Sequence, residues 1–364
     1  VATARDRTRM VAAVMSAPDG WPDPAAAATV NASDLAAARF LESSPALSVY
    51  GDWSRGPVVF PDGAQFTTCS TVESRPFWVD VTDGVWELQT FEVLAAVLGA
   101  GSGSGKNIYI DVGMWIAPTV LFASTYASAV YAFEADPYAL YEGAANLVAN
   151  PAAHAKTRVA RRCINDVAGT LRMAGFGGSV SRIVVEADDA AAADAYLVPC
   201  TTLPAALADL RVPLADVGLI KMDIEGSEAR VIPALVAAGW FAEAGAPSLW
   251  LSVHPPLWPA ADRPAVWASL ATLAAQYRRV FDGSLAPVDL TAILAANPNG
   301  TSGYTEFLFT NVDLDARLAA FHVNHLPPDV ERNPGGTHAW RNVSYGSARG
   351  LPPLPVAIFD NKRA

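Results

Sequence analysis

The sequence predicts an α/β protein built on a doubly wound, mostly parallel seven-stranded sheet. Three observations predict it. Apolar β-like runs alternate with helix-like segments through the middle of the 364-residue chain, which implies parallel strands joined by right-handed crossovers. The run Asn107-Ile-Tyr-Ile-Asp111-Val-Gly113 ends in an acid and a glycine, and the later run Val130-Tyr-Ala-Phe-Glu134 ends in a second acid. An acid about twenty residues past a glycine turn is the layout of a nucleotide-type ligand lying over two adjacent strand ends. The third observation is a late pair of β-like runs, Tyr277-Arg-Arg-Val-Phe and Thr305-Glu-Phe-Leu-Phe-Thr, suited to an antiparallel hairpin at the sheet edge.

Residues 1–84 read as an N-terminal extension rich in Ala, Pro and Asp, with short apolar pieces at Val58-Val-Phe and Phe77-Trp-Val-Asp-Val. From Trp86 to Leu98 the apolar spacing is helical, and Gly99-Ala-Gly-Ser-Gly-Ser-Gly closes that helix as a loop. Strands are then expected over 107–112, 129–134, 156–163, 217–223 and 247–253. Helices are expected over 117–127, 137–149, 202–210, 227–238 and 262–276. Residues 85–311 thus form the expected catalytic-type domain. Residues 312–364, rich in Pro, Asn, Gly and Arg, read as a C-terminal extension wrapping it.

Composition narrows the partners. The chain carries 36 acidic and 25 basic residues, a formal charge of −11, which argues against nucleic acid, whose phosphates need a basic footprint. The same charge serves solubility. No apolar run reaches the length of a membrane span. A start at Val1 rather than Met suggests a processed or truncated chain, a start that leaves open the removal of an upstream signal or anchor. Asn31-Ala-Ser, Asn299-Gly-Thr and Asn342-Val-Ser are glycosylation sequons and lean toward a secretory route such as the Golgi lumen over the cytoplasm. Cys163 and Cys200 either bridge in an oxidising compartment, leaving Cys69 outside the bridge, or stay as buried thiols.

The glycine turn points to a type of cofactor. A dinucleotide site needs G-x-G-x-x-G to seat a pyrophosphate on a helix N-terminus. Here Asp111-Val-Gly113-Met-Trp-Ile-Ala117 has one glycine behind an aspartate. A carboxylate there repels a pyrophosphate and suits a cation. S-adenosylmethionine has a sulfonium, an ammonium and no phosphate, so the charge pattern favours a methyl donor over NAD. Gly113 is expected to let the backbone approach the ligand closely, where a side chain would collide with it. Glu134 is placed to accept both ribose hydroxyls.

Phe133-Glu134-Ala135-Asp136-Pro137 and Lys221-Met-Asp223-Ile-Glu225-Gly226-Ser-Glu228 add specificity. With the first motif they resemble the FkbM family of S-adenosylmethionine-dependent methyltransferases. Its members show D-x-G-x-x-x-G, then F-E-P-x-P or similar, then K-x-D-x-E-G-x-E. The resemblance runs from about Val85 to Asn311, and Ala117 and Ala135 depart from the usual glycine and proline. It implies a class I methyltransferase fold, which is Rossmann-like, and hydroxyl acceptors that include sugars and polyketide-type natural products. It also implies Asp111 and Gly113 near the methionine end of the cofactor, Glu134 and Ala135 at the ribose and Asp166 at the adenine. Glu87 is a further candidate for the cofactor's amino group.

The chemistry such a site needs is a held acceptor and a base for its proton. His254, in Leu249-Trp-Leu-Ser-Val-His-Pro-Pro, is set at a strand end by prolines that force extended backbone before them, and its neutral-range pKa suits a general base. The competing reading is a structural histidine bonded to nearby backbone. Asp223 and Glu225 either orient the acceptor hydroxyl or share a divalent cation, Mg²⁺ or Mn²⁺, with His254. Alternatively they pair with Lys221 or cap the helix near Ser227. Trp53, Trp78, Trp115, Trp258 and Trp340 lean the acceptor toward a sugar or glycan, against core packing as their ordinary use. The reading is therefore an O-methyltransferase acting on a small-molecule or glycan hydroxyl. Its rivals are an inactive methyltransferase-like binding module, a polyketide-type O-methyltransferase and an NAD-dependent dehydrogenase or epimerase.

Overall fold

The computed structural model describes residues 54–101, 105–174, 181–184, 196–242, 245–296, 305–314 and 316–318. Seven strands make the central sheet: β3 (Ile108–Val112), β4 (Ala129–Phe133), β5 (Thr157–Ala160), β10 (Val217–Met222), β11 (Ser248–Val253), β12 (Arg279–Asp282) and β13 (Thr305–Thr310). Their order is β12-β13-β11-β10-β3-β4-β5. β11, β10, β3, β4 and β5 pair in parallel, and β13 runs antiparallel between β11 and β12. The expected α/β sheet with its late antiparallel pair is what forms.

The parallel strands are buried on both faces and accordingly read as continuous apolar runs. All six positions of β10 and of β11 are buried. Helix α2 (Leu88–Gly101), α3 (Pro118–Ala123) and α4 (Pro137–Val148) cover one side of the chain's first half. Helix α5 (Leu203–Asp209), α6 (Glu228–Ala237) and α7 (Arg263–Ala274) pack on the other core. Asp136 caps α4, accepting from the Tyr138 amide at 2.8 Å, and Pro137 sits in the first turn, where its missing N–H costs nothing.

Four boundaries differ from expectation, each for a local reason. The helix expected over 117–127 stops at Ala123, because the Ser124 and Thr125 hydroxyls donate to the Leu121 and Phe122 carbonyls at 2.6 and 2.8 Å and compete with the helix ladder. The strand expected over 156–163 divides. β5 ends at Ala160, the Arg162 amide turns back to the Ala160 carbonyl at 2.9 Å, and β6 (Cys163–Ile164) joins a different sheet. That second sheet, β6-β9-β7-β8, includes β7 (Gly169–Ala174), β8 (Arg182–Ile183) and β9 (Tyr196–Thr201) and has no counterpart in the sequence reading. Phe77-Trp-Val-Asp-Val lies in helix α1 (Arg75–Thr82), burying Trp78 and Val81 three residues apart on one face. Cys163 and Cys200 form a disulfide across β6 and β9; Cys69 stands outside it on β2 (Gln65–Ser70).

The described part of the N-terminal stretch joins the core. β1 (Ser54–Val59) and β2 form a hairpin, and Phe60 packs edge-on against Phe91 at 5.1 Å. The outer edge of β2 is covered by two α4-side amides. Asn150 both accepts from the Thr67 amide at 2.9 Å and donates to the Thr67 carbonyl at 2.7 Å, imitating a neighbouring strand. Fully buried Asn146 accepts from the Cys69 amide at 2.6 Å and donates to the Ile116 carbonyl at 2.9 Å. The sequons at Asn31, Asn299 and Asn342, and Trp53 and Trp340, lie outside the described residues. Asn146→Ala removes a hydrogen bond from the Cys69 amide and one to the Ile116 carbonyl and should destabilise the fold by about 2 kcal/mol in a denaturant titration; an unchanged midpoint would show that the hairpin does not depend on this amide.

Candidate functional site

The site forms where β3 and β10 end side by side, with Lys221 opposite Asp111 in the register. Past β3 the chain turns at Gly113, whose φ is 89°. The Gly113 and Met114 amides both donate to the Phe133 carbonyl, at 3.0 and 3.1 Å, so the turn is tied to the end of β4. A Cβ at Gly113 would lie 1.9 Å from the Asp223 carbonyl oxygen. The sequence reading put a ligand in that space, whereas the structure puts the neighbouring strand's backbone there. Ala117, at the second glycine position of the motif, takes a left-handed φ of 72° before Pro118 opens α3. A glycine would hold that conformation without the Cβ penalty.

Asp111 is completely buried. Its Oδ2 accepts from Tyr109 at 2.9 Å and from Thr119 at 2.5 Å, and its Oδ1 is 3.8 Å from the Lys221 ammonium. Burial raises its pKa by more than Lys221 and the two hydroxyls lower it. Asp111 therefore anchors the strand end from within. Glu134, also buried, spends both oxygens on the loops around it: Oε2 accepts from the Trp115 amide and Oε1 from the Asp136 amide, each at 2.8 Å. Burial, with Asp136 nearby, pushes it up to about 7. The Ala135 amide also bonds this carboxyl, so fewer than two acceptor positions remain for a ligand. Ala135 is buried against Cys163, Met173, Val198 and Cys200 of the second sheet. Asp166 follows β6, and its Oδ1 is shielded from solvent with no hydrogen-bond donor.

The Lys-Met-Asp-Ile-Glu-Gly-Ser-Glu segment and His254 come together as expected. The Lys221 ammonium, itself buried, lies 3.5 Å from Asp223 and 3.4 Å from the Gly113 carbonyl. Although burial opposes the charge of Asp223, Lys221 beside it holds the carboxyl below the usual carboxylate range. His254 Nδ1 lies 2.8 Å from Glu228 Oε1, which also accepts from the His254 amide at 2.6 Å and the Trp258 indole at 3.2 Å. Its Nε2 faces Asp223 Oδ1 at 3.5 Å and Glu225 Oε2 at 3.8 Å. Burial works against charging this ring, yet Glu228, Asp223 and Glu225 push it up to about 9. Glu225 and Gly226 both have positive φ, 48° and 100°, a turn closed by Glu228 Oε2 accepting from the Gly226 amide at 2.8 Å. Asp223, Glu225 and His254 bring one ligand atom each to within 4.8 Å of one another, the spacing of donors around a single ion.

Glu87 enters from the start of α2. Its Oε2 accepts from the Thr90 hydroxyl, which accepts in turn from the Trp250 indole at 3.2 Å. Burial raises its pKa well above normal, with Glu306 and Asp223 adding to the effect. Glu306 sits on β13 opposite Ser252 and accepts from Gln89 Nε2 at 3.0 Å; burial raises it too.

Sequence reasoning missed Glu228, Gln89 and Glu306. Glu228 stood inside the quoted motif, and its spacing from the helix start was an available signal. Gln89 and Glu306 meet across 217 residues, and no local pattern marks that encounter. Among the tryptophans, Trp78 and Trp258 are buried in the core, while Trp115 is partly exposed and packs on Phe77 at 4.6 Å.

Comparison with known proteins finds one family model and a similar solved structure. Residues 101–255 match the family model described as the methyltransferase FkbM domain, the span that contains all three motifs. A crystal structure of methyltransferase FkbM from Methylobacillus flagellatus KT is similar over 62% of this chain and 60% of that one, at 16% identity and a TM-score of 0.30. This chain thus spans about three fifths of that chain's length. No curated protein matches the sequence. No helix among the described residues is long and apolar enough to cross a membrane.

Gly113→Ala should cost about 3 kcal/mol, from a left-handed alanine and a Cβ forced into the Asp223 carbonyl. Thermal melting checks this, and a melting temperature within a degree of the parent would mean the β3 and β10 ends do not need their close approach.

Proposed function

We propose, from the FkbM methyltransferase domain matched over residues 101–255, that this protein is an S-adenosylmethionine-dependent O-methyltransferase acting on a hydroxyl, that of a sugar or glycan. The observation that carries the reading is His254, oriented by Glu228 at Nδ1 and facing Asp223 and Glu225 with Nε2.

The residues present fit the donor. The partly exposed Asp223 carboxylate suits its ammonium and sulfonium, Glu134 has an acceptor for the ribose, and the shielded Asp166 Oδ1 has no donor among the described residues. The turn after β3 offers no glycine-rich nest for a pyrophosphate. Bound S-adenosylmethionine supplies an electrophilic methyl carbon already activated by its sulfonium. The protein's own tasks are orientation and proton removal. Asp223 or Glu225 accepts a hydrogen bond from the acceptor hydroxyl, and His254 Nε2 takes its proton as oxygen attacks. Glu228 holds the ring and stabilises the imidazolium that results, the role a carboxylate plays behind a catalytic histidine. Partly exposed Trp115 gives an aromatic face on which a pyranose ring can stack. The Cys163–Cys200 disulfide favours an oxidising compartment.

With its pKa pushed up to about 9, His254 is mostly protonated at neutral pH, so its base form grows about tenfold per pH unit below that value. Methyl transfer should therefore rise with pH and level off near 9. His254→Ala should lower turnover about 100- to 1,000-fold, abolish that rise and leave donor affinity nearly unchanged in calorimetry. A variant with full activity and the same profile removes His254 as the base. No heat with S-adenosylmethionine would favour an inert binding module.

The 4.8 Å grouping of Asp223, Glu225 and His254 favours a second reading in which the three hold one divalent ion. On that reading calorimetry detects one Mn²⁺ bound by the parent and none by Glu225→Gln. Silence from the parent eliminates it.

A further inference from the structure

Past His254 the sheet carries a further row of polar groups on the same face. Trp250 pairs with Lys221 on one side and with Leu308 on the other, so these three side chains share a face. The Trp250 indole donates to Thr90 of α2, which makes it the face that α2 covers. Two residues further along β11, Ser252 points the same way, and its register partner on β13 is Glu306. Asp223 follows Met222, the partner of Leu251, and so stands level with Ser252 on the opposite flank. Asp223 and Glu306 are thus two strand spacings apart, about 10 Å between backbones, and the side chain between them is a serine.

That row holds hydrogen-bonding capacity the protein does not use. Ser252 is 7% exposed, and its hydroxyl makes no hydrogen bond among the described residues. A hydroxyl buried to that degree without a partner calls for an explanation. Glu306 is partly exposed and receives one hydrogen bond, from Gln89 to Oε2 at 3.0 Å. Glu87, also partly exposed, receives one from Thr90 to Oε2 at 3.1 Å. Among the described residues nothing donates to the Oε1 of either carboxyl. The buried Lys221 ammonium already acts on Glu87, Glu306 and Asp223 together, so this row does not need a second cation. What it offers is one hydroxyl and several acceptor oxygens, the set that binds neutral hydroxyl groups.

We infer that Ser252 and Glu306, with Gln89 holding Glu306, determine acceptor specificity by binding a second hydroxyl of the molecule whose first hydroxyl meets His254. The inference rests on the methyltransferase reading above and deepens it: the substrate is a ring bearing neighbouring hydroxyls, not a lone alcohol. Strand order supports the assignment. Glu134, given to the donor's ribose, lies at the end of β4, on one side of Asp223 and His254; Ser252 and Glu306 lie toward the other, on β11 and β13. A methyl group arriving from the β3 side meets an oxygen at His254 while the rest of the acceptor extends over Ser252. The small side chain at 252 is the condition for this, since a larger one would fill the space between Asp223 and Glu306.

Saturation-transfer NMR on the full chain loaded with S-adenosylhomocysteine tests this. The probes are the methyl pyranosides of glucose, galactose, mannose and fucose, with cyclohexanol as a ring carrying a single hydroxyl. At least one pyranoside should receive saturation from the parent, and cyclohexanol should not. Ser252→Ala and Glu306→Ala should each bind that pyranoside about fivefold more weakly, the loss of one hydrogen bond. Ser252→Val, which fills the gap and suits a strand, should abolish the signal. All three should keep the parent's affinity for S-adenosylhomocysteine in calorimetry. No pyranoside bound by the loaded parent, or cyclohexanol bound as well as the pyranosides, overturns the proposal while leaving the donor reading intact, and neither result needs a variant to fold. Pyranoside affinity unchanged in Ser252→Ala or in Glu306→Ala overturns the part given to that residue. A parent that binds no S-adenosylhomocysteine removes the donor reading itself, and this inference with it.

Discussion

The close approach of two strand ends governs this molecule. The Asp223 carbonyl occupies the space where any side chain at position 113 would sit, and the Asp223 amide is bonded to the Val112 carbonyl at 2.9 Å. A buried lysine is what makes the approach sustainable. Lys221 faces Asp111, Asp223 and the Gly113 carbonyl together, so one cation satisfies the polar ends of β3 and β10. Without it two carboxylates would share a dry space, where like charges are costly. With it, the turn after β3 and the turn after β10 are parts of one junction.

The rest of the site elaborates that junction with more acid than base. Glu87, Asp111, Asp223, Glu225, Glu228 and Glu306 all act electrostatically on Lys221, on His254 or on one another. Such an excess holds His254 in its charged form and keeps Glu87 and Glu306 inclined to retain protons. It also leaves the ends of β3 and β10 with more carboxyl groups than cations.

Several elements were legible from residues alone. The largely apolar runs at 108–112, 217–222 and 248–253 have no competing pattern, because a strand buried on both faces is apolar at most positions. Pro137 after Asp136 announced a helix start. His254 before two prolines announced a strand end. The small sheet was not legible: β6 and β8 are two residues long, too short for any period, and pairing partners supply their whole stability. α1 was hidden for a related reason, since Phe77 to Val81 is an apolar cluster compatible with either period until its neighbours choose.

By itself the sequence determined the α/β class, the strand ends that bear Asp111, Glu134, Asp223 and His254, and the acidic character of the crevice, because periodicity and charge are properties of local order. Only the tertiary structure decided what each group faces. It turned Gly113 from a ligand contact into a backbone clearance, set Glu228 behind His254, and brought Glu306 to Gln89 across most of the chain. Those outcomes depend on distances between segments far apart in sequence, and no local pattern encodes such a distance.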